Sequence, residues 1–148
     1  KEVHIVLKMK HLTITLLTLL MSMGAWALNI NFTDTSMFAE KTFSFSDSSF
    51  GADISIGFTD NPILADVSIY LTNSCYLADV SEGSFGTSIA ISDNSFLSDT
   101  TIHVSDSSFG TTSIYISDNP VFADKTFCLE SNSYDVRKKI AVMYVLSR

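Results

Sequence analysis

The 148-residue chain has two cysteines, three histidines and nine basic residues, and its longest apolar run, Leu12 to Met23, is short. Each shortage excludes something. Two cysteines cannot make a disulfide-stapled scaffold. Nine Lys and Arg against sixteen Asp and Glu leave a net charge of −7. That is the wrong balance for a nucleic-acid surface, which needs a basic stripe to displace counterions. It suits a soluble, self-repelling surface with no nucleic-acid partner. A bilayer span takes about 20 apolar residues, more than the run supplies. With 46% hydrophobic residues, the length allows one modest domain with a real core.

The apolar run has a different use. Lys8, Lys10 and His11 precede it, and Ala25-Trp26-Ala27 follows with small residues spaced for cleavage. A positive start, a short apolar centre and small residues at −3 and −1 mark a secretory signal. Met9 opens this pattern, so 9–27 reads as a signal peptide and 1–8 as an upstream, non-native extension. Cleavage after Ala27 would leave a secreted or periplasmic β-repeat domain, 28–148, with no membrane span. The alternative is an N-terminal buried helix or anchor. Residue 28 is Leu rather than Cys, which argues against a lipid-anchored lipoprotein.

What fills the rest is one short unit, repeated. TDTSMFAEKTFSF (33–45), SDSSFGADISIGF (46–58) and TDNPILADVSIYL (59–71) follow one another at a spacing of 13 residues. The unit returns as SDNSFLSDTTIHV (92–104), SDSSFGTTSIYI (105–116, one residue short) and SDNPVFADKTFCL (117–129). Counting from its Ser/Thr, position 2 is acidic, position 5 large and apolar, position 7 mostly Ala, position 8 acidic, and positions 11 and 13 apolar. Apolar 11 and 13 alternating with small or polar 10 and 12 predict a half-buried strand. The S-D-[SN]-[SP] stretch predicts a turn, because Asp and Ser accept local N–H bonds and Pro presets φ. Positions 5 and 7, large then small, are expected to return to a tight interior.

A unit of 13 residues cannot bury its own apolar face, so neighbours must stack. The expected fold is all-β: a single domain of strand-turn units wound as a narrow, solenoid-like coil, identical residues lying over one another. The alternative is an antiparallel β-meander, disfavoured because hairpin loops usually have 2–5 residues. The register breaks at 72–80, suggesting two sub-arrays, 28–71 and 81–145, joined by an irregular coil. The last unit, ESNSYDVRKKIAV, replaces the acid with Arg137 and reads as a cap, with Ile140 and Val142 in strand positions. On one unit per coil, Cys75 and Cys128 fall about 19 Å apart, beyond the ~7 Å reach of a disulfide. Two free thiols are expected, the more exposed one open to an intermolecular bridge.

Units of the form strand–[ST]DSxFxAD–strand resemble the Septknot family of small proteins of unknown function. Asp47-Ser48 with Ala52-Asp53, Asp60 with Ala65-Asp66, and Asp118 with Ala123-Asp124 carry the resemblance, over about 29–142. It implies a chain closing on itself in a knotted, doubly wound torus. The truncated copy at 72–80 and the missing Asp in 105–116 depart from the pattern. A plain parallel solenoid stands beside the threaded winding, since true knots are very rare. The resemblance implies no activity.

The acidic columns are the first place to look for chemistry. Stacked Asp47, Asp60, Asp93, Asp106 and Asp118 have the hard oxygen ligands calcium takes. The glycine-rich nonapeptide of calcium-binding β-rolls and the EF-hand loop are both absent. Carboxylates capping their own turns are the plainer expectation for both columns. His103 is the only histidine after residue 27, so any Ser–His–Asp scheme would have to use it. No G-x-S-x-G elbow accompanies it, and it reads as a solvent-facing strand residue at position 12. Two cysteines and one histidine cannot close a usual zinc site. A hydroxyl ladder at position 10 (Thr42, Ser55, Ser68, Ser88, Thr101, Ser113, Thr126) invites ice or glycan binding, but position 12 offers no paired threonine grid. Tyr70 and Tyr115 could stack on a sugar or peptide.

The sequence thus predicts an exported, non-enzymatic repeat protein with a structural, adhesive or binding role. No catalytic, cofactor or metal residues are assigned. Self-association, or an extracellular protein or glycan, is the expected kind of partner. A calcium-binding β-repeat module is the alternative.

Overall fold

In the computed structural model, residues 27–107, 112–130 and 135–148 are described. The expected extension 1–8 and the signal segment, apart from Ala27, lie outside the described residues, as do Phe109 and Tyr134. Among the described residues the apolar alternation makes nine strands: β1 (Leu28–Thr33), β2 (Lys41–Ser46), β3 (Ile54–Phe58), β4 (Val67–Thr72), β5 (Val80–Glu82), β6 (Thr87–Ser92), β7 (Thr100–Ser105), β8 (Thr112–Ser117) and β9 (Lys125–Cys128). One helix follows, α1 (Val136–Leu146). Every pairing is parallel, which rules out the antiparallel meander. The fold is mostly β, and the strands close into a barrel.

The order around the barrel is β1-β6-β2-β7-β3-β8-β4-β9-β5 and back to β1. Consecutive strands never touch. Each step along the chain moves two places round, so β1 to β5 complete one lap and β6 to β9 fill the gaps on a second. An odd strand number makes this work: steps of two around nine places visit each place once in two laps. The expected stacking of consecutive units is therefore corrected. A strand pairs with units four and five further along the chain. Phe43 lies beside Ile91 and Thr100, and Ile56 beside Val104 and Thr112. Each strand meets one neighbour with its first half and the other with its second, the stagger of a strongly tilted barrel.

The register break is where the laps join. β5 begins at Val80 and β6 at Thr87, only 7 residues on. The half-unit steps over β1, where the Gly83 N–H donates to the Ile30 carbonyl at 2.9 Å. Gly86, at φ +136°, lies so close to the Asn29 backbone that a Cβ would fall 2.2 Å from its carbonyl oxygen. Only glycine fits there. The copy at 72–80 does not lack a strand: its strand is β5, cut to three residues.

Interior-facing position 11 supplies the core, with Ile30, Ile56, Ile69, Ile89, Ile102, Ile114 and Phe127 all fully buried. The bore they line is occupied by α1, whose residues Lys139 to Met143 are consecutively buried. A helix buried on all sides lies inside its domain. Its N-terminal residues Arg137, Lys138 and Lys139 stand 5.1–5.4 Å from the rings of Phe58, Phe45 and Phe32, on three different strands. The expected strand at 140–142 is corrected, because Ile-Ala-Val alternation serves an enclosed helix as well as a strand. Asp135 caps it, accepting from the Arg137 N–H at 2.9 Å. At the other end Lys125 Nζ donates to the Ser147 carbonyl at 2.8 Å, a cation placed against the negative helix terminus.

Interleaving also overturns the expected free thiols. The linker from β4 to β5 passes over β9, which brings Cys75 above Cys128 with Cα atoms 5.0 Å apart and the two sulfurs bonded. The bond ties one lap to the other across 53 residues. Removing it with Cys75→Ser and Cys128→Ser should lower unfolding free energy by about 4 kcal/mol, the closure entropy of so long a loop. Thiol titration of the denatured chain should find neither cysteine before reduction and both after. Two thiols before reduction would contradict the winding.

Candidate functional site

The linkers crossing the barrel's outside decide what the protein shows to its surroundings. Each turn is held from within the unit. The hydroxyl at position 1 accepts from the N–H at position 3, as Thr59 does from Asn61 and Ser92 from Asn94, both at 3.1 Å. Position 3 then accepts from position 5, as Asn61 does from Ile63 and Asn94 from Phe96, both at 3.0 Å. Five linkers wind positions 4–6 into a short 3-10 turn behind the position 1 bond, three of them, at Asn61, Asn94 and Asn119, add the position 3 bond, and Pro62 and Pro120 open two of them. The capping oxygens belong to positions 1 and 3, not to the position 2 carboxylates Asp47, Asp60, Asp93 and Asp118.

Position 8 has another task. Asp53, on the linker over β7, donates its N–H to the Thr101 carbonyl at 2.9 Å and accepts the Thr101 N–H at 2.8 Å. Asp66 grips Ser113 in the same way, Asp79 grips Thr126, Asp99 grips Thr42 and Asp124 grips Ser68. Five carboxylates thus clamp a linker of one lap onto a strand of the other, rather than capping their own turns. The Ser113 N–H and hydroxyl hold the Asp66 carboxyl below its ordinary pKa. Three position 10 hydroxyls are covered by the same linkers and four are half-buried: Thr42, Thr101 and Ser113 are buried, and Ser113 Oγ donates to the Leu64 carbonyl at 2.7 Å. They form no open ladder for ice or sugar.

With position 8 clamped down, only a small residue fits between linker and strand at position 7; Ala78 is buried there and Ala39, Ala52, Ala65 and Ala123 are half-buried. Position 5 and often position 6 point away. Phe50 is 95% exposed, Phe96 96% and Tyr76 94%, and Met37, Ile63, Phe85 and Val121 are similarly bare. Phe38, Leu64, Leu77, Leu97 and Phe122 join them from position 6. The expectation that position 5 packs inward is wrong, because the bore is already filled by position 11 and α1. These side chains instead make an apolar belt around the barrel, borne by linkers of both laps.

The other sequence candidates are placed plainly. His103 is half-buried, and its Nδ1 lies 2.9 Å from the Ser46 carbonyl, so that nitrogen donates; among the described residues no carboxylate orients it. Among the described residues no three His, Cys, Asp or Glu side chains gather as metal ligands. Asp47, Asp60, Asp93 and Asp118 are exposed on separate linkers, and Asp106 pairs with Arg137. Tyr70 and Tyr115 are half-buried.

Sequence reasoning missed one buried charge pair. Glu82 occupies the inward strand position where other units carry Ile or Phe, and its Oε1 accepts from Lys139 Nζ of the central helix at 2.6 Å. Their side chains are 12% and 2% exposed. The signal was present: an acid at position 11 of the shortened unit calls for a cation within the bore.

Two outcomes follow. Lys139→Met leaves a buried carboxylate alone and should cost about 3–5 kcal/mol in denaturant unfolding, largely recovered by adding Glu82→Leu. A loss below ~1 kcal/mol would show the pair is solvated. Asp66→Asn tests the clamp through pH. The depressed folded pKa means Asp66 stabilises the fold above its unfolded pKa, and that contribution is lost as pH falls through the folded value. The variant's melting curve should therefore depend less steeply on pH at acid pH than the parent's; equal slopes would contradict the clamp.

Among the described residues no helix is long and apolar enough to cross a membrane. Compared with known proteins, the chain matches no family model, no curated protein and no solved structure.

Proposed function

We propose that this is an exported, non-enzymatic protein with a structural or adhesive role, exercised by binding through its outer belt. The observation that carries the reading is the belt itself: among the described residues, twelve large apolar side chains on the linkers, each more than half exposed. Burying one such side chain is worth about 1.5–3 kcal/mol, so a contact covering several has ample driving force. Exposed apolar side chains in such number are what interaction sites on soluble proteins carry. The Cys75–Cys128 bond supports an oxidising destination, in keeping with the signal segment at 9–27. The two interleaved laps support the Septknot-like reading of a doubly wound torus, with the threaded winding as its finer form.

The test separates binding from folding. In a bacterial host the full chain should be processed to begin at Leu28 and stay with the cell surface or envelope. Phe50→Ser, Ile63→Ser and Phe96→Ser together should release it while leaving unfolding free energy within about 0.5 kcal/mol per site, as for other exposed positions. A triple variant that is equally retained, or that unfolds, would overturn the reading.

A further inference from the structure

The belt does not stand alone. Position 2 places Asp34, Asp47, Asp60, Asp93, Asp106 and Asp118 on one side of it, all exposed, where strands end. Position 8 places a second acidic row on the other side, where strands begin. After residue 27 the chain has fifteen Asp and Glu and six Lys and Arg. Part of that positive charge is already engaged: Lys139 is buried against Glu82, Lys138 lies against the Phe45 ring, Lys125 is bonded to the Ser147 carbonyl, and Arg137, though exposed, pairs with Asp106. The outer surface is thus an apolar stripe between two acidic rails.

We infer that the belt receives a cationic amphipathic polypeptide segment, its apolar face on the position 5 and 6 side chains and its Lys or Arg residues against the flanking carboxylates. The inference rests on the binding role proposed above and names its partner by charge complementarity. A second copy of this chain would bring acidic row against acidic row, and like charges brought together oppose docking. A bilayer fits no better: its hydrocarbon is about 30 Å thick, against a stripe two residues high, and anionic headgroups repel the rails. An amphipathic helix with apolar residues at i, i+3, i+4 and i+7 presents a stripe of matching narrowness with cations on its flanks.

The experiment uses the intact oxidised protein and a Leu/Lys amphipathic peptide of about 18 residues, long enough for five turns. Its Leu/Glu counterpart, zwitterionic and anionic lipid vesicles, and sedimentation of the protein alone are run alongside. Saturable binding of the Leu/Lys peptide is expected, weakening with salt, with little binding of the Leu/Glu peptide. Phe50→Ser with Phe96→Ser should weaken it about tenfold or more, as loss of central apolar anchors does. Asp47→Asn with Asp93→Asn, outside the clamps, should weaken it and flatten its salt dependence while leaving the melting temperature unchanged. Equal binding of both peptides, belt-dependent binding to vesicles instead, or belt-dependent self-association would overturn the cationic partner while leaving a binding belt. Binding that ignores the Phe substitutions in every arm would overturn both.

Discussion

The constraint on which the structure depends is the grip of five position 8 aspartates on strands they do not precede. Two opposed hydrogen bonds, such as Asp53 with Thr101 and Asp99 with Thr42, fix a linker of one lap over a strand of the other. The grip runs both ways, since Thr42 belongs to the first lap and Thr101 to the second. Neither lap can loosen alone. Once the linkers lie flat, position 7 must be small, position 10 must be covered and position 5 must face outward. The exposed belt is thus a mechanical consequence of the interlock, with side chains far more apolar than the interlock requires.

Inside, the same winding leaves a bore lined by the position 11 side chains, apolar in every strand but β5, where Glu82 stands, and α1 fills it. A closed parallel barrel removes the edge strands that an open solenoid would expose. Burying Lys139 with Glu82 joins helix and barrel by an interaction that is expensive to break and of little value if merely counted as stability. It stands where β5 is cut short, next to the half-unit that starts the second lap. That pair and the Cys75–Cys128 bond both sit at the seam between laps.

Much of this was legible in the residues, and what was not has a physical cause. Strand positions 11 and 13 read correctly because period-two alternation reports a local geometry, and Ile56, Ile69 and Ile102 are buried as it implies. The break near residue 80 read correctly as a change of register but one strand early: 73–79 is an ordinary linker, and the joint falls at 83–86, between β5 and β6. Neighbour relations did not, because a repeat fixes the step between units but not how many places that step covers. From one place per step followed the wrong separation of Cys75 and Cys128. Phe50 and Phe96 misled for another reason: apolarity predicts burial only if the interior has room, and the space was taken by a helix whose Ile140-Ala141-Val142 run looked like one more strand. The clamp acids misled least. Their N–H partners were foreseen, but on the wrong chain segment.

The interleaving of two laps is the claim most open to direct attack, and the covalent bond between them offers the means. Peptide mapping of the non-reduced protein should recover a single linked species containing Cys75 and Cys128 from the monomer, since a β9 inserted beside β5 leaves those two sulfurs in contact. A monomer with both cysteines unlinked, or chains joined only to other chains through either cysteine, would contradict the winding described here.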